Sequence, residues 1–242
     1  MLYSRLACRR QASFLTLVCP PLSDRQMPLA DRWSLATAPI PSRYNGSNRL
    51  VAPISTVLFV SKDHHQGSNS SDGVPPESNL PKGKHWTDCP PPGSVVVLQQ
   101  PPEQTAALLG DIVATRLKTR GVLGAVIDGR SRDIVSCAEL CQDGEFQVWT
   151  KALSSVGTSL EAKPWAVDVP IKIKGVEVRP GDILIADEGE KVISVIPRDR
   201  LKEIADLLPT LKGADDGVLK DVQSGVDLKT AFANHPKHYS NH

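Results

Sequence analysis

The 242-residue chain has no excess of either charge: 28 Lys and Arg face 27 Asp and Glu, for a formal net charge of +1. That balance argues against the broad basic footprint by which nucleic acid or an anionic membrane is held. No apolar run approaches the length needed to cross a bilayer. The five cysteines, at positions 8, 19, 89, 137 and 141, include no CxxC pair. An odd, irregular set argues against a disulfide framework and for a reducing compartment. Cys137 and Cys141 stand at helical i, i+4 spacing and read as small packed residues. Acidic residues are absent before Asp24, whereas Arg5, Arg9 and Arg10 precede it among several Ser and Thr. Residues 1–48 therefore read as a disordered or targeting leader. The expected compartment is cytoplasmic, or mitochondrial if the basic N-terminus is a transit peptide. Residues 20–49, rich in Pro, Ser and Arg without periodicity, are expected to be loop or disorder.

What is present is organised around Gly110–Asp133, GDIVATRLKTRGVLGAVIDGRSRD. Leu109, Val113 and Leu117, with Leu108 and Ile112, repeat at i, i+4 and predict a helix that buries this face. Asp111 falls in its first turn, at the positive end of the helix dipole. Gly121 is placed to stop it, and Val122–Ile127 is a short apolar run of the kind a doubly buried strand carries. GRSRD then reads as a loop ending in Arg132 and Asp133. One α/β unit thus carries two devices. Open backbone amides of Asp111, Ile112 and Val113 at a helix N-terminus suit a carboxylate or phosphate. A guanidinium for an oxyanion stands beside a carboxylate for a hard divalent cation. Taken alone, an Arg-Asp pair in a loop also fits a surface ion pair or a helix cap.

Elsewhere, Arg49–Val60 is dense in β-branched residues and predicts a strand. Residues 61–84 read as a long mobile insertion; its His64 and His65, and His85 just after it, fit solvated side chains better than ligands. Ser94–Gln99 predicts a strand leading into a helix through Gly110, and with Val122–Ile127 a βαβ-like crossover between parallel strands. Ile134–Leu140 predicts a short helix and Gln147–Lys151 a strand; Ser154–Lys163 is a polar loop without a motif. Residues 167–197 alternate as strand and turn, with a hairpin near Gly189. Turn chemistry accounts for Asp182, Asp187, Glu188 and Glu190. Two helices are expected after Arg198, the first ended by Pro209 and the second near Asp215–Ser224. His235 and His238 lie in or beside a polar tail, 236–242, and read as inert.

The string GDIVATRLKTRGVLGAVIDGRSRDI, followed by GVEVRPGDILIADEGEKVISVIP, resembles the family that joins the RraA-type ribonuclease regulators to the class II pyruvate aldolases. The likeness runs from about Arg49 to His235. It implies an α/β fold, a single domain at 49–235 of the β/β/α swivelling type with mixed sheets, an irregular N-terminal extension and C-terminal helices. It also implies a lyase that cleaves 4-hydroxy-4-methyl-2-oxoglutarate-type 2-oxo acids to pyruvate and decarboxylates oxaloacetate, dependent on Mg²⁺ or Mn²⁺. The carried-over roles are substrate binding by Gly110, Asp111, Ile112, Val113 and Arg132, and catalysis by Arg132 and Asp111. Metal binding falls to Asp133, supported by Asp215, or its neighbour Asp216, of a neighbouring subunit in a trimer or hexamer. Two departures stand out. Nothing in SDRQMPLADRWSLATAPIPSRYNGS matches the family's Cys/Ser-Asp-Ala-Leu type motif, and Ala52-Pro53-Ile54 replaces Gly-Pro-Ala. The alternative reading is a non-catalytic binding protein of the regulator type, or a degenerate enzyme. The regulator branch is short after the position of Pro197, whereas this chain continues into acidic helices.

Overall fold

The computed structural model describes residues 15–18, 38–39, 49–67 and 73–238. Strands β1 (Leu15–Val18), β2 (Ala38–Pro39), β3 (Arg49–Ser61), β4 (Val95–Gln99), β5 (Ala107–Leu109), β6 (Gly124–Ser131), β7 (Gln147–Leu153) and β8 (Ala162–Val167) come first. They are followed by β9 (Ile171–Ile173), β10 (Val176–Val178), β11 (Ile183–Asp187) and β12 (Val192–Ile196). Along the main sheet the order is β1-β12-β11-β3-β4-β6-β7-β2, with β5 on β6 and β8 on β3; β9 and β10 pair separately. The strands β3, β4, β6 and β7 run parallel, in the registers Ile54↔Val95, Val95↔Gly124 and Gly124↔Gln147. The crossover expected between Ser94–Gln99 and Val122–Ile127 is therefore present.

Parallel strands are covered on both faces, which explains their unbroken apolar runs. On one face Val95, Val97, Val126 and Trp149 pack with Ile171, Ile173, Leu184 and Ile193 of the later strands. On the other, Val96, Leu98, Ala125, Ile127 and Val148 meet Ala114 and Leu117, together with Cys137 and Cys141. The first of these pairs belongs to the helix Asp111–Thr119 and the second lies on and just after the helix Ile134–Leu140. Both helices thus sit against one face of the parallel strands, as the two crossovers require.

Several expectations are corrected. Leu108 and Leu109 belong to a strand, not to a helix, and each is no more than 2% exposed. An apolar pair at this spacing satisfies either period, and pairing with β6 decides it. Ile112, expected on the buried face, is 77% exposed, because Ala114 and Leu117 supply that face. β6 runs through Gly129 and Arg130 to Ser131, so only Arg132 and Asp133 remain of the expected loop. Residues 1–48 lie mostly outside the described ones, but Leu15–Val18 pairs antiparallel with β12 and Ala38–Pro39 with β7. The described part of the 61–84 insertion is fastened to β8. Asn79 exchanges hydrogen bonds with Val167, the Ser78 hydroxyl donates to the Trp165 carbonyl, and the Trp165 indole donates to the Pro75 carbonyl.

At the C-terminal end, one helix, Leu201–Gln223, passes straight through Pro209, and a second covers Leu228–Asn234. Proline costs a helix one hydrogen bond and a clash, but apolar contacts on both sides of it, such as Ile204 and Val218, keep the segment continuous. The tail is also packed. His238 is 8% exposed, stacks on Phe232 at 4.7 Å and meets the Asp215 carboxylate at 2.9 Å. The acidic residues of the hairpin follow turn chemistry as expected: Asp182 accepts from the Arg179 and Arg198 amides, and Asp187 from the Glu190 amide and Arg49.

Candidate functional site

The sheet places the C-terminal end of β6 beside the C-terminal end of β5, with Leu109 opposite Ser131. Arg132 follows directly, its amide donating to the Leu109 carbonyl at 2.9 Å. Gly110 follows Leu109 and opens the helix Asp111–Thr119 from an extended conformation. The two chain segments thus leave the sheet side by side, at the carboxyl edge of parallel strands where open α/β sheets bind ligands.

Gly110 is where they come closest. A Cβ there would lie 2.5 Å from Asp133 Oδ2 and 2.9 Å from Arg132 Nε. A Cβ on Gly157 would lie 3.3 Å from Arg132 Nη1. The guanidinium is therefore slotted between two glycines, one before the Asp111 helix and one in the loop after β7. Asp133 occupies the position that normally caps the helix Ile134–Leu140, yet its side chain makes no cap hydrogen bond. Its backbone is left-handed, with φ 56° and ψ 45°. The carboxylate instead faces the other segment: Oδ2 stands 3.2 Å from Arg132 Nε and accepts from the Asp111 amide at 3.4 Å. Its second neighbour in sequence, Val135, is 76% exposed.

The helix N-terminus is less open than expected. The Asp111 amide points at Asp133, and the Ile112 amide donates to Asp111 Oδ1 at 2.6 Å. Two of the three amides expected to await an anion are thus met by the chain's own carboxylates. Beside these groups lies a small open cleft of about 60 Å³ lined by Ala107, Leu108, Gly110, Ile112, Val113, Arg132, Gly157 and Thr158. That is far below the size range of pockets for drug-sized molecules and leaves room for a small ligand only.

Of the residues singled out in the sequence, Gly110, Asp111, Ile112, Val113, Arg132 and Asp133 come together. Asp215 does not line the cleft of its own chain; it is held by His238. Ala107, Gly157 and Thr158 were missed. Thr158 donates its hydroxyl to the Ala107 carbonyl, and Ala107 bridges Gly157, contacts between stretches some 50 residues apart. The only local signal was small residues in a polar loop.

Among the described residues no three His, Cys, Asp or Glu side chains gather into a metal cage. The donor set fits one kind of ion nonetheless. Mg²⁺ and Mn²⁺ keep most of their waters and take one or two protein carboxylates. Asp133, with 37% of its side chain exposed beside Gly110, provides one such carboxylate.

The family model "RraA-like: Aldolase/RraA" matches residues 22–191. A protein of Halalkalibacterium halodurans named "Putative 4-hydroxy-4-methyl-2-oxoglutarate aldolase" is 31% identical over 141 residues, 58% of this chain and 64% of that protein. One of the same name from Albidiferax ferrireducens is 35% identical over 103 residues, 42% of this chain and 56% of that protein. The chain spans less than two-thirds of the length of these relatives. A solved structure of an uncharacterised Pseudomonas syringae protein shares the fold, with TM-score 0.60 at 20% identity over 81% of this chain and 82% of that one. RraAS2 of Streptomyces coelicolor is described as an unusual member of the RNase ES inhibitor RraA protein family. It superposes with TM-score 0.53 at 26% identity over 70% of this chain and 75% of its own. By the extent of the matched family model and the fold it shares with these structures, the chain belongs to the RraA-like family.

Proposed function

We propose that the protein is a pyruvate-forming lyase that cleaves 4-carboxy-4-hydroxy-2-oxo acids of the 4-hydroxy-4-methyl-2-oxoglutarate type and decarboxylates oxaloacetate. The observation that carries the reading is the convergence at Gly110: guanidinium, carboxylate and helix N-terminus meet where any side chain would block them. The names of the relatives point the same way.

Both reactions break the bond beyond C3 of a 2-oxo acid and leave the electron pair in an enolate. Arg132, held between Gly110 and Gly157, would donate hydrogen bonds to the C2 oxygen as it turns negative. A fixed cation of this kind contributes several kcal/mol in a site shielded from water. The amides at the head of the Asp111 helix, Val113 included, would take the substrate carboxylate, displacing the chain's own carboxylates. Asp111 would accept the C4 hydroxyl proton as the C3–C4 bond of a hydroxy acid breaks to give the second carbonyl product. With oxaloacetate no such proton exists, and the leaving fragment is CO₂. Protonation of the enolate at C3 completes pyruvate in both cases. Asp133 would hold Mg²⁺ or Mn²⁺, whose chemistry when bound is Lewis-acid polarisation of the 2-oxo acid.

A homo-oligomer, trimer or hexamer, belongs to this reading. Ile112, Val135 and Leu160, between 66% and 77% exposed, put apolar surface in and beside the cleft, which a second copy would cover. A neighbouring copy would also have to bring Asp215 out of its pairing with His238 for that residue to support the metal's waters. A second reading, a non-catalytic binding protein, is favoured by the likeness to RraAS2.

The deciding experiment measures pyruvate release from both substrates with Mg²⁺, with EDTA, and with Asp133→Asn. Metal-dependent turnover lost in the variant supports the lyase. Absence of turnover from folded, oligomeric protein sinks it and favours the binding protein.

A further inference from the structure

Behind the cleft wall stands a charged group that the proposed chemistry does not use. Glu161 directly follows the short turn Thr158–Leu160, which carries Thr158 into the cleft. Its carboxylate reaches across to the segment before β5. Oε2 accepts from the amides of Thr105 at 2.6 Å and Ala106 at 2.9 Å, and Oε1 from the Thr105 hydroxyl at 2.7 Å. The Glu161 carbonyl takes the Gln104 side-chain amide at 2.8 Å. Bonds from backbone amides to a carboxylate are among the stronger hydrogen bonds in proteins. Here the Ala106 amide first, then the Thr105 hydroxyl and amide, hold the Glu161 carboxyl below the usual range.

The gripped segment leads straight into the site. Thr105 and Ala106 continue into Ala107 and Leu108 of the cleft wall, and then into Gly110. β5 has only three residues and meets β6 with a shifted register, so the sheet itself holds it weakly. Other fastenings come from one side or the other. Buried Gln100 donates to the Ala106 carbonyl at 2.6 Å and accepts from the Arg130 amide at 2.9 Å. The Ala107 amide donates to the Val156 carbonyl at 2.8 Å. Glu161 is the charged member of this set, and it ties the two cleft-lining segments to each other.

We infer that Glu161 is a positioning residue of the candidate site: it clamps the Thr105–Gly110 segment against the Gly157–Thr158 turn, fixing the width of the cleft and the place of Gly110 under Arg132 and Asp133. The clamp stands on geometry, while the nature of the ligand rests on the lyase reading.

The test compares Glu161→Ala and Glu161→Gln with the unaltered full chain. Three quantities are read: the urea midpoint, hydrogen exchange at Thr105–Leu109, and the affinity for oxalate, a planar dianion shaped like pyruvate enolate, by titration calorimetry with Mg²⁺. In the Ala variant exchange speeds up in that segment alone and the oxalate Kd rises roughly ten-fold, the order expected for a misplaced binding wall. The Gln variant, which keeps acceptor oxygen, is affected less. For pyruvate release KM rises more than kcat falls. Loosened amides with unchanged oxalate affinity would reduce Glu161 to a structural bond and overturn the inference, as would unchanged exchange. If Glu161→Ala does not fold, Thr105→Val removes one arm of the clamp and is read in the same way. Faster exchange in the variant, with no oxalate binding or turnover by the unaltered protein, fails the lyase reading and upholds the clamp.

Discussion

Gly110→Ala isolates the site from the fold. The Gly110 backbone is extended, at φ −132° and ψ −174°, a conformation open to any residue, so the substitution adds no backbone strain. Its whole effect is the added methyl, 2.5 Å from Asp133 Oδ2, 2.9 Å from Arg132 Nε and 3.1 Å from Arg132 Cγ. Ordinary contact begins near 3.4 Å, so the carboxylate has to withdraw by about 1 Å. Both side chains are more than a third exposed and have room to swing outward. The stability cost therefore stays at the low end of overpacking, about 1 kcal/mol. A 1 Å displacement of the reacting groups costs about a hundred-fold in rate, or about 2.7 kcal/mol of transition-state binding. Gly157→Ala is the graded control: its methyl stands 3.3 Å from Arg132 Nη1, so the guanidinium gives by only a tenth or so of an ångström. The assay is kcat/KM for pyruvate release alongside the urea midpoint. Full activity in Gly110→Ala, or equal losses in the two variants, would refute the placement of the site.

Three other outcomes follow from the packing. Within the helix Leu201–Gln223, a methyl on Gly213 meets open space, whereas one on Gly217 lies 2.4 Å from the His235 ring. Gly213→Ala should therefore raise stability by about 0.5–1 kcal/mol and Gly217→Ala lower it, both read as urea midpoints. Burial pushes the Cys137 thiol up to about 12 and that of Cys141 up to about 11. Mass spectrometry after iodoacetamide at neutral pH should find both unmodified until urea unfolds the chain. Burial alone would raise the Asp187 carboxyl, but the Arg49 side chain and the Glu190 and Gly189 amides outweigh it and hold it low. A carboxyl lowered by folding stabilises above its unfolded pKa, and that contribution fades as pH falls through the folded value. Asp187→Asn should thus cost about 1–3 kcal/mol at pH 7, and the two unfolding midpoints should converge in acid.

The parts of this molecule legible in its sequence are those fixed locally. Gly121 ends the helix with φ 79°, the hairpin turns near Gly189, and Asp182 caps its own turn, each obeying rules that act over four or five residues. Gly110, Arg132 and Asp133 were legible as a motif, and the fold brings them into contact. What was misread depends on distant partners. Leu108 and Leu109 fit either period until β6 selects a strand. The 154–163 loop has no pattern of its own, because its place is set by Ala107 and Thr105. His238 reads as part of a polar tail until Asp215 and Phe232 receive it.

The left-handed backbone at Asp133 bears on which residues the position tolerates. Gly enters that region freely, and Asn and Asp do so with less strain than most side chains. The turn from β6 into the next helix therefore narrows the choice before any chemistry is asked of it, and of those three only Asp carries a charge. Asn would keep the corner and lose the charge, Gly would keep the corner and lose the side chain, and Ala would lose the charge and strain the corner as well. A survey of substitutions at this one position would separate what the chain bend demands from what the ligand demands.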